Sequence, residues 1–136
     1  MMGTSARGVH SAGGKVIGVA PTFFDREGVL YKECDEFFWT ETMRQRKQKM
    51  QDLSDAFIVM PGGIGTFEEF FEMITLKSLE QIDKPIAIFN INGYYDKIIE
   101  AIEYAHDTNF MYIAAEELYK AFTDIDEMLT YIEENA

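Results

Sequence analysis

Cysteine is almost absent: Cys34 is the only one in 136 residues. That excludes an intrachain disulfide and a cysteine metal cluster, and a reducing, cytoplasmic setting is the expectation. Histidine is nearly as scarce. His10 and His106 lie far from the motifs described below and are expected to be ordinary surface or core side chains. No apolar run reaches the roughly 18 residues of a membrane-crossing helix, and the opening MMGTSARGVHSAGG has no long apolar centre of the signal-peptide kind. Basic residues are outnumbered, with 12 Lys and Arg against 24 Asp and Glu for a net charge of −12. Nucleic-acid binding is therefore not expected, because such proteins need cations for backbone phosphates. A small phosphorylated ligand remains open, since a local glycine-rich turn binds phosphate even in an acidic chain.

What is present describes a globular protein: 47% of residues are hydrophobic and 14% aromatic. The length suits a single domain over residues 1–136, and no repeat or low-complexity segment interrupts it. KVIGVA (15–20), DAFIVM (55–60), KPIAIFN (84–90) and YKAFTD (119–124) read as strands, with FFW (37–39) as a shorter one. Between them lie helical patterns. Thr4 to Ala12 is followed by a double-glycine stop at 13–14, and residues 21–36 read as a long loop. In residues 40–54 Thr40 or Thr42 is the cap, and Met43, Arg46, Lys47 and Met50 share one face. A helix is expected from Thr66 to about Gln81, another after NGYYD with Ile98, Ile99, Ile102 and Ala105 on one stripe, and a last one capped by Asp124 or Asp126. Apolar strands alternating with helices predict an α/β fold, a doubly wound, Rossmann-like parallel sheet in three layers.

The stretch MPGGIGTFEEF, Met60 to Phe70, supports two readings. In one, Thr66 and Glu69 form a capping box and Gly62, Gly63 and Gly65 make a tight turn. In the other, the glycines at a strand's carboxyl end and a helix's amino end receive an anion on exposed N–H groups. No lysine follows as in a nucleotide-hydrolase loop, and the spacing is not that of a dinucleotide fingerprint. The preceding helix carries Arg44, Arg46, Lys47 and Lys49, which serve either as a solvated face or as a source of cations for the same chemistry.

MRQRKQKM (43–50) followed by SDAFIVMPGGIGTFEEFFE (54–72) resembles the cytokinin riboside 5′-monophosphate phosphoribohydrolases, the "Lonely guy" family, many members of which were once labelled lysine decarboxylases. The marks are Arg46-Lys47 and the complete P-G-G-x-G-T-x-x-E from Pro61 to Glu69. The resemblance implies hydrolysis of the N-glycosidic bond between an adenine-type base and ribose 5′-monophosphate, with a nucleotide substrate and no metal or organic cofactor. It further implies that Gly62, Gly63, Gly65 and Thr66 hold the 5′-phosphate, with Ile64 among the substrate-binding residues. Glu69 is then catalytic at the ribose, Arg46 is its catalytic partner, and Lys47 and Met43 line the site. A fixed carboxylate suits the chemistry, because glycosidic cleavage builds positive charge on the sugar. A homodimer or higher homo-oligomer is implied as well, and FFEMITLKSLEQI is richer in large apolar residues than one helix face needs.

The family pattern opens earlier, with a strand, a helix, a second strand and a Y-G-G-G-x-x-G-L-M-G stretch, of which Met1 to Gly3 match the tail. About fifty residues are accordingly expected to be absent at the amino terminus, which leaves a non-catalytic nucleotide- or phosphate-binding protein of the same fold as the alternative. Decarboxylation of lysine is disfavoured, since no pyridoxal-type lysine site is evident.

Overall fold

The computed structural model describes residues 2–25 and 30–136. Part of the loop expected at 21–36, and Met1, lie outside the described residues. The chain divides into two compact units, Met1–Ser54 and Asp55–Ala136.

In the first unit, α1 (Met2–Ser11) ends at Gly13, whose φ of 80° favours glycine, and Gly14 N–H donates to the Val9 carbonyl at 2.9 Å. Strands β1 (Ile17–Pro21) and β2 (Glu36–Thr40) pair in parallel, with Ile17 opposite Glu36 and Pro21 opposite Thr40. Pro21 is the last residue of β1. Both strands of a two-stranded sheet are edges, where the missing proline donor is tolerated. Gly18 faces Phe37, and a Cβ there would collide with the Phe37 ring and Cys34 Sγ. Helix α2 (Met43–Leu53) is capped by Thr42 as the sequence suggests, in a capping box with Gln45. Met43, Arg46, Lys47 and Met50 form its half-buried face. Among the described residues of this unit only Ala20 and Pro21 are fully buried.

The second unit is built on three parallel strands, β3 (Phe57–Val59), β4 (Ile86–Phe89) and β5 (Lys120–Phe122), with β4 central. Phe57 pairs with Ile86, and Ala87 with Lys120. Alternate β4 side chains feed two cores. Ile86 and Ile88 pack with Val59, Phe70, Met73, Ile74, Tyr95 and Ile102, while Ala87 packs with Phe122 and Met128. Helices α3 (Ile64–Ser78), α4 (Asp96–Asp107) and α5 (Ala115–Leu118) supply the first core, and α6 (Ile125–Asn135) the second. Helices therefore cover both faces of a parallel sheet, which is the α/β architecture read from the apolar strands.

Two expectations are corrected. Helix α3 begins at Ile64, not Thr66, and its cap is Gly63, with no side-chain cap bond. The Gly63 carbonyl accepts the N–H groups of Thr66 and Phe67 at 3.0 and 3.2 Å, so Thr66 is already inside the first turn and cannot act as a cap. The expected Thr66–Glu69 capping box is therefore not formed. The helix also stops at Ser78 rather than near Gln81, with Glu80 in the left-handed region at φ 55°. The sequence reading did not anticipate α5.

Candidate functional site

The turn between β3 and α3 is where the two meanings of the glycines separate. A Cβ on Gly62 would collide with the Thr66 side chain, so Gly62 is required by packing inside the protein. Gly63 and Gly65 are different: a Cβ at either position meets nothing within 4 Å among the described residues. Gly63 has an ordinary extended φ of −93°, and neither residue is among the glycines with positive φ. Neither backbone conformation nor packing demands glycine at 63 or 65. At Gly65, inside the first turn, glycine is unfavourable by up to about 1 kcal/mol relative to alanine, whereas at the cap position 63 glycine is preferred over alanine. Gly63, Ile64 and Gly65 are all exposed, Ile64 to 83%. They lie at the end of a helix whose first N–H groups have no intrahelical partner.

Glu69 is half-buried on α3, one turn beyond Gly65. Beneath it the helix is anchored by Phe70, which is 2% exposed and meets the Tyr119 ring edge-on at 5.3 Å. The turn itself is held from the start of α4. Tyr94 Oη donates to the Gly62 carbonyl at 2.6 Å and Tyr95 Oη to the Met60 carbonyl at 2.7 Å. Burial pushes the Tyr95 phenol above its ordinary value, assisted by neighbouring Tyr94, so it stays protonated as a donor. These tyrosines were not singled out by sequence reasoning. The GYYD run gave the only signal, and it was read as a helix start.

In the other unit, Arg46 Nε donates to the Val19 carbonyl at 3.2 Å, tying α2 to β1. Lys49 Nζ stands 4.3 Å above the centre of the Phe38 ring, so part of the basic cluster holds structure. The same unit contains a polar chain that the sequence did not suggest. His10 bridges Tyr31 Oη at 2.7 Å and Asp35 Oδ2 at 2.9 Å, and Asp35 also accepts from Val16 N–H at 2.7 Å. The Val16 N–H first, and then His10, hold the Asp35 carboxyl below its ordinary value. His10 is thus a structural bridge between α1 and the segment before β2.

The structure gathers Gly62, Gly63, Ile64, Gly65, Thr66 and Glu69 on one strand-to-helix junction, and Met43, Arg46 and Lys47 on one helix face. Clefts of about 400 and 660 Å³ elsewhere in the second unit are lined by Lys77, Glu80 and Asp83, and by Lys120, Asp126 and Tyr131, with no residue of the turn. Among the described residues no group of three or more His, Cys, Asp or Glu is placed to hold a metal ion, and no helix is long and apolar enough to cross a membrane.

These features define a parallel α/β protein with a glycine-rich turn at a strand's carboxyl end. A family model described as "Possible lysine decarboxylase" matches residues 2–132. The chain is similar to "Cytokinin riboside 5'-monophosphate phosphoribohydrolase LOG2" of Arabidopsis thaliana, at 34% identity over 98% of this chain and 63% of the relative. A "Probable cytokinin riboside 5'-monophosphate phosphoribohydrolase LOGL5" of Oryza sativa subsp. japonica is 36% identical over 98% of this chain and 54% of its own length. "Cytokinin riboside 5'-monophosphate phosphoribohydrolase LOG3" of Arabidopsis thaliana is 36% identical over 100% of this chain and 63% of its own. The chain belongs to this family of cytokinin riboside 5′-monophosphate phosphoribohydrolases, the one its "possible lysine decarboxylase" model describes. It spans between 54% and 63% of the length of these three relatives.

Proposed function

We propose that the protein hydrolyses the N-glycosidic bond of an adenine-type nucleoside 5′-monophosphate, a cytokinin riboside monophosphate or AMP, giving free base and ribose 5-phosphate. Family membership supports the reaction class. The observation that carries the site is that Gly65, inside the first turn, is a glycine without an internal reason among the described residues, and that Gly63 at the cap and Gly65 are both exposed with open space where a Cβ would stand. Such positions suit the close approach of phosphate oxygens to backbone N–H groups at a helix amino end.

In this reading Gly62 shapes the turn, and Gly63, Ile64, Gly65 and Thr66 receive the 5′-phosphate. The bond from C1′ to the base nitrogen breaks with its electron pair leaving on the base, and the oxygen of water forms the new bond to C1′. The base takes up a proton and the water loses one. Glu69, one helical turn from the phosphate cradle, stabilises the positive charge that develops on the ribose or orients the water. Arg46 is proposed as the second catalytic residue on the strength of the family motif, with Lys47 and Met43 as substrate-binding residues. A cytoplasmic setting and a homo-oligomer belong to the same proposal. Phe71 and Leu79 of the α3 segment are 43% and 60% exposed, which supports association.

The test is incubation with AMP and an N6-substituted AMP, with chromatography for released base. The expected result is base release, abolished separately by Glu69→Ala and Arg46→Ala in samples that remain folded. The second reading, a nucleotide-binding protein without turnover, is favoured by the chain spanning 54% to 63% of its relatives' length. AMP binding by calorimetry without base release selects it.

A further inference from the structure

A turn that receives an anion on its N–H groups must send its carbonyl oxygens elsewhere, because those oxygens repel the same charge. In a planar trans peptide the C=O and the following N–H point in opposite directions. Fixing one therefore aims the other. The Gly62 carbonyl is fixed by the Tyr94 hydroxyl at 2.6 Å, and the N–H of that peptide belongs to Gly63. The Met60 carbonyl is fixed by the Tyr95 hydroxyl at 2.7 Å. The peptide after it ends in Pro61, which has no N–H, so this second bond sets the exit of the chain from β3.

The two tyrosines are themselves held. Tyr95 is 0% exposed, and its N–H donates to Asn90 Oδ1 at 2.7 Å. Asn90 is the one buried polar side chain among the described residues, and its Nδ2 donates to Asp96 Oδ1 at 2.7 Å. The Asn90 N–H donates to the Phe122 carbonyl at 2.7 Å, which fixes it to the end of β5. The Tyr94 and Tyr95 rings lock edge-on with centres 5.0 Å apart. A continuous path thus leads from the end of β5, through Asn90 at the end of β4, to the turn after β3. Tyr94 is 50% exposed, so burial of its ring does not explain its hydroxyl, whereas the Gly62 contact does.

We infer that Tyr94 and Tyr95 are positioning residues for the glycine-rich turn: by holding the Gly62 and Met60 carbonyls they direct the Gly63 N–H toward the phosphate. The inference rests on the proposed phosphate cradle and adds to it residues about thirty positions away, in the next β-to-α connection.

The experiment compares wild type with Tyr94→Phe. Inorganic phosphate and AMP are titrated while the Gly63 amide is followed by 1H–15N NMR, and KM, kcat and melting temperature are measured on the same samples. The hydroxyl deletion is expected to weaken phosphate and AMP binding and raise KM by about tenfold, the scale of one hydrogen bond. The response of the Gly63 amide falls, kcat changes little, and the melting temperature stays within a few degrees. A lower melting temperature with unchanged KM overturns the inference, because the hydroxyl then serves stability alone. An equal Gly63 response in both proteins also overturns it and leaves the cradle standing. A wild-type Gly63 amide that ignores both ligands overturns the cradle and the inference together.

Discussion

The segments before and after Ser54 carry the two halves of the family motif in unlike surroundings. Arg46 and Lys47 lie on α2, in a unit whose fully buried described residues are Ala20 and Pro21. That helix is fixed chiefly by polar devices: the Thr42–Gln45 box, the Arg46–Val19 bond, and Lys49 over Phe38. The PGGIGT turn, by contrast, springs from a sheet covered on both faces, with Ile86, Ala87 and Ile88 all at 0% exposure beneath it. Apolar burial contributes about 25 cal/mol per Å², whereas exposed polar ties are individually weak. The turn therefore sits on the stiffer foundation, and local opening is expected to be easier in the first unit.

Core truncation tests that contrast most strongly. Ile88→Ala is expected to lose about 2–5 kcal/mol, from lost burial plus the cavity left behind. Ile17→Ala, in a strand position 47% exposed, is expected to lose under about 1 kcal/mol. Urea denaturation measures both, and equal losses would break the comparison. Next in size is Gly62→Ala, which pushes a methyl group into Thr66 and is expected to lose about 1–3 kcal/mol together with phosphate binding.

In the first unit, Thr42→Ala removes a cap and is expected to lose about 1 kcal/mol. Hydrogen exchange should locate that loss in α2, and an effect spread into the β3–β5 sheet would break the comparison. Gly65→Ala is expected to go the other way. It gains about 0.5–1 kcal/mol of helix stability while weakening AMP binding, since no described residue lies within 4 Å of a methyl group there. A Gly65→Ala protein with both properties unchanged would remove the reason for assigning that glycine to a ligand.

How far these features could be read in advance depended on distance along the chain. Ile86 to Phe89 form an unbroken apolar run, and a buried parallel strand is the structure that uses one. The Thr42 cap was legible because its partner Gln45 is three residues away. The start of α3 was misread because Thr66 and Glu69 have the same spacing, while Gly63 closes the turn first with its carbonyl. Helix α5, at 4 residues, is too short to show a period. The tyrosine bonds to Gly62 and Met60 join positions 32 and 35 residues apart, and the His10–Asp35 bridge spans 25. Such pairings are set by which strand ends are neighbours, which local pattern does not encode. The residues of the glycine-rich turn were thus visible in the sequence, but what holds it was not.

The smallest effect concerns a group that belongs to the stiff unit yet opposes it. Tyr119 is 6% exposed, and its hydroxyl has no hydrogen-bond partner among the described residues. Burial, and then the charge of Glu103, push its phenol up from 10.0 to about 12. With the folded value raised, the neutral phenol's contribution is complete below about pH 10 and is lost as pH rises through about 12. Tyr119→Phe keeps the ring that packs on Phe70 and deletes the unpaired hydroxyl. It is expected to raise stability near neutral pH by less than about 1 kcal/mol, because an unsatisfied buried donor is unfavourable. Between pH 10 and 12 the variant should lose stability less steeply than wild type, as followed by thermal melts across that range. A clear loss at neutral pH would mean that the hydroxyl is bonded after all, and this part of the core would then depend on polar ties as α2 does.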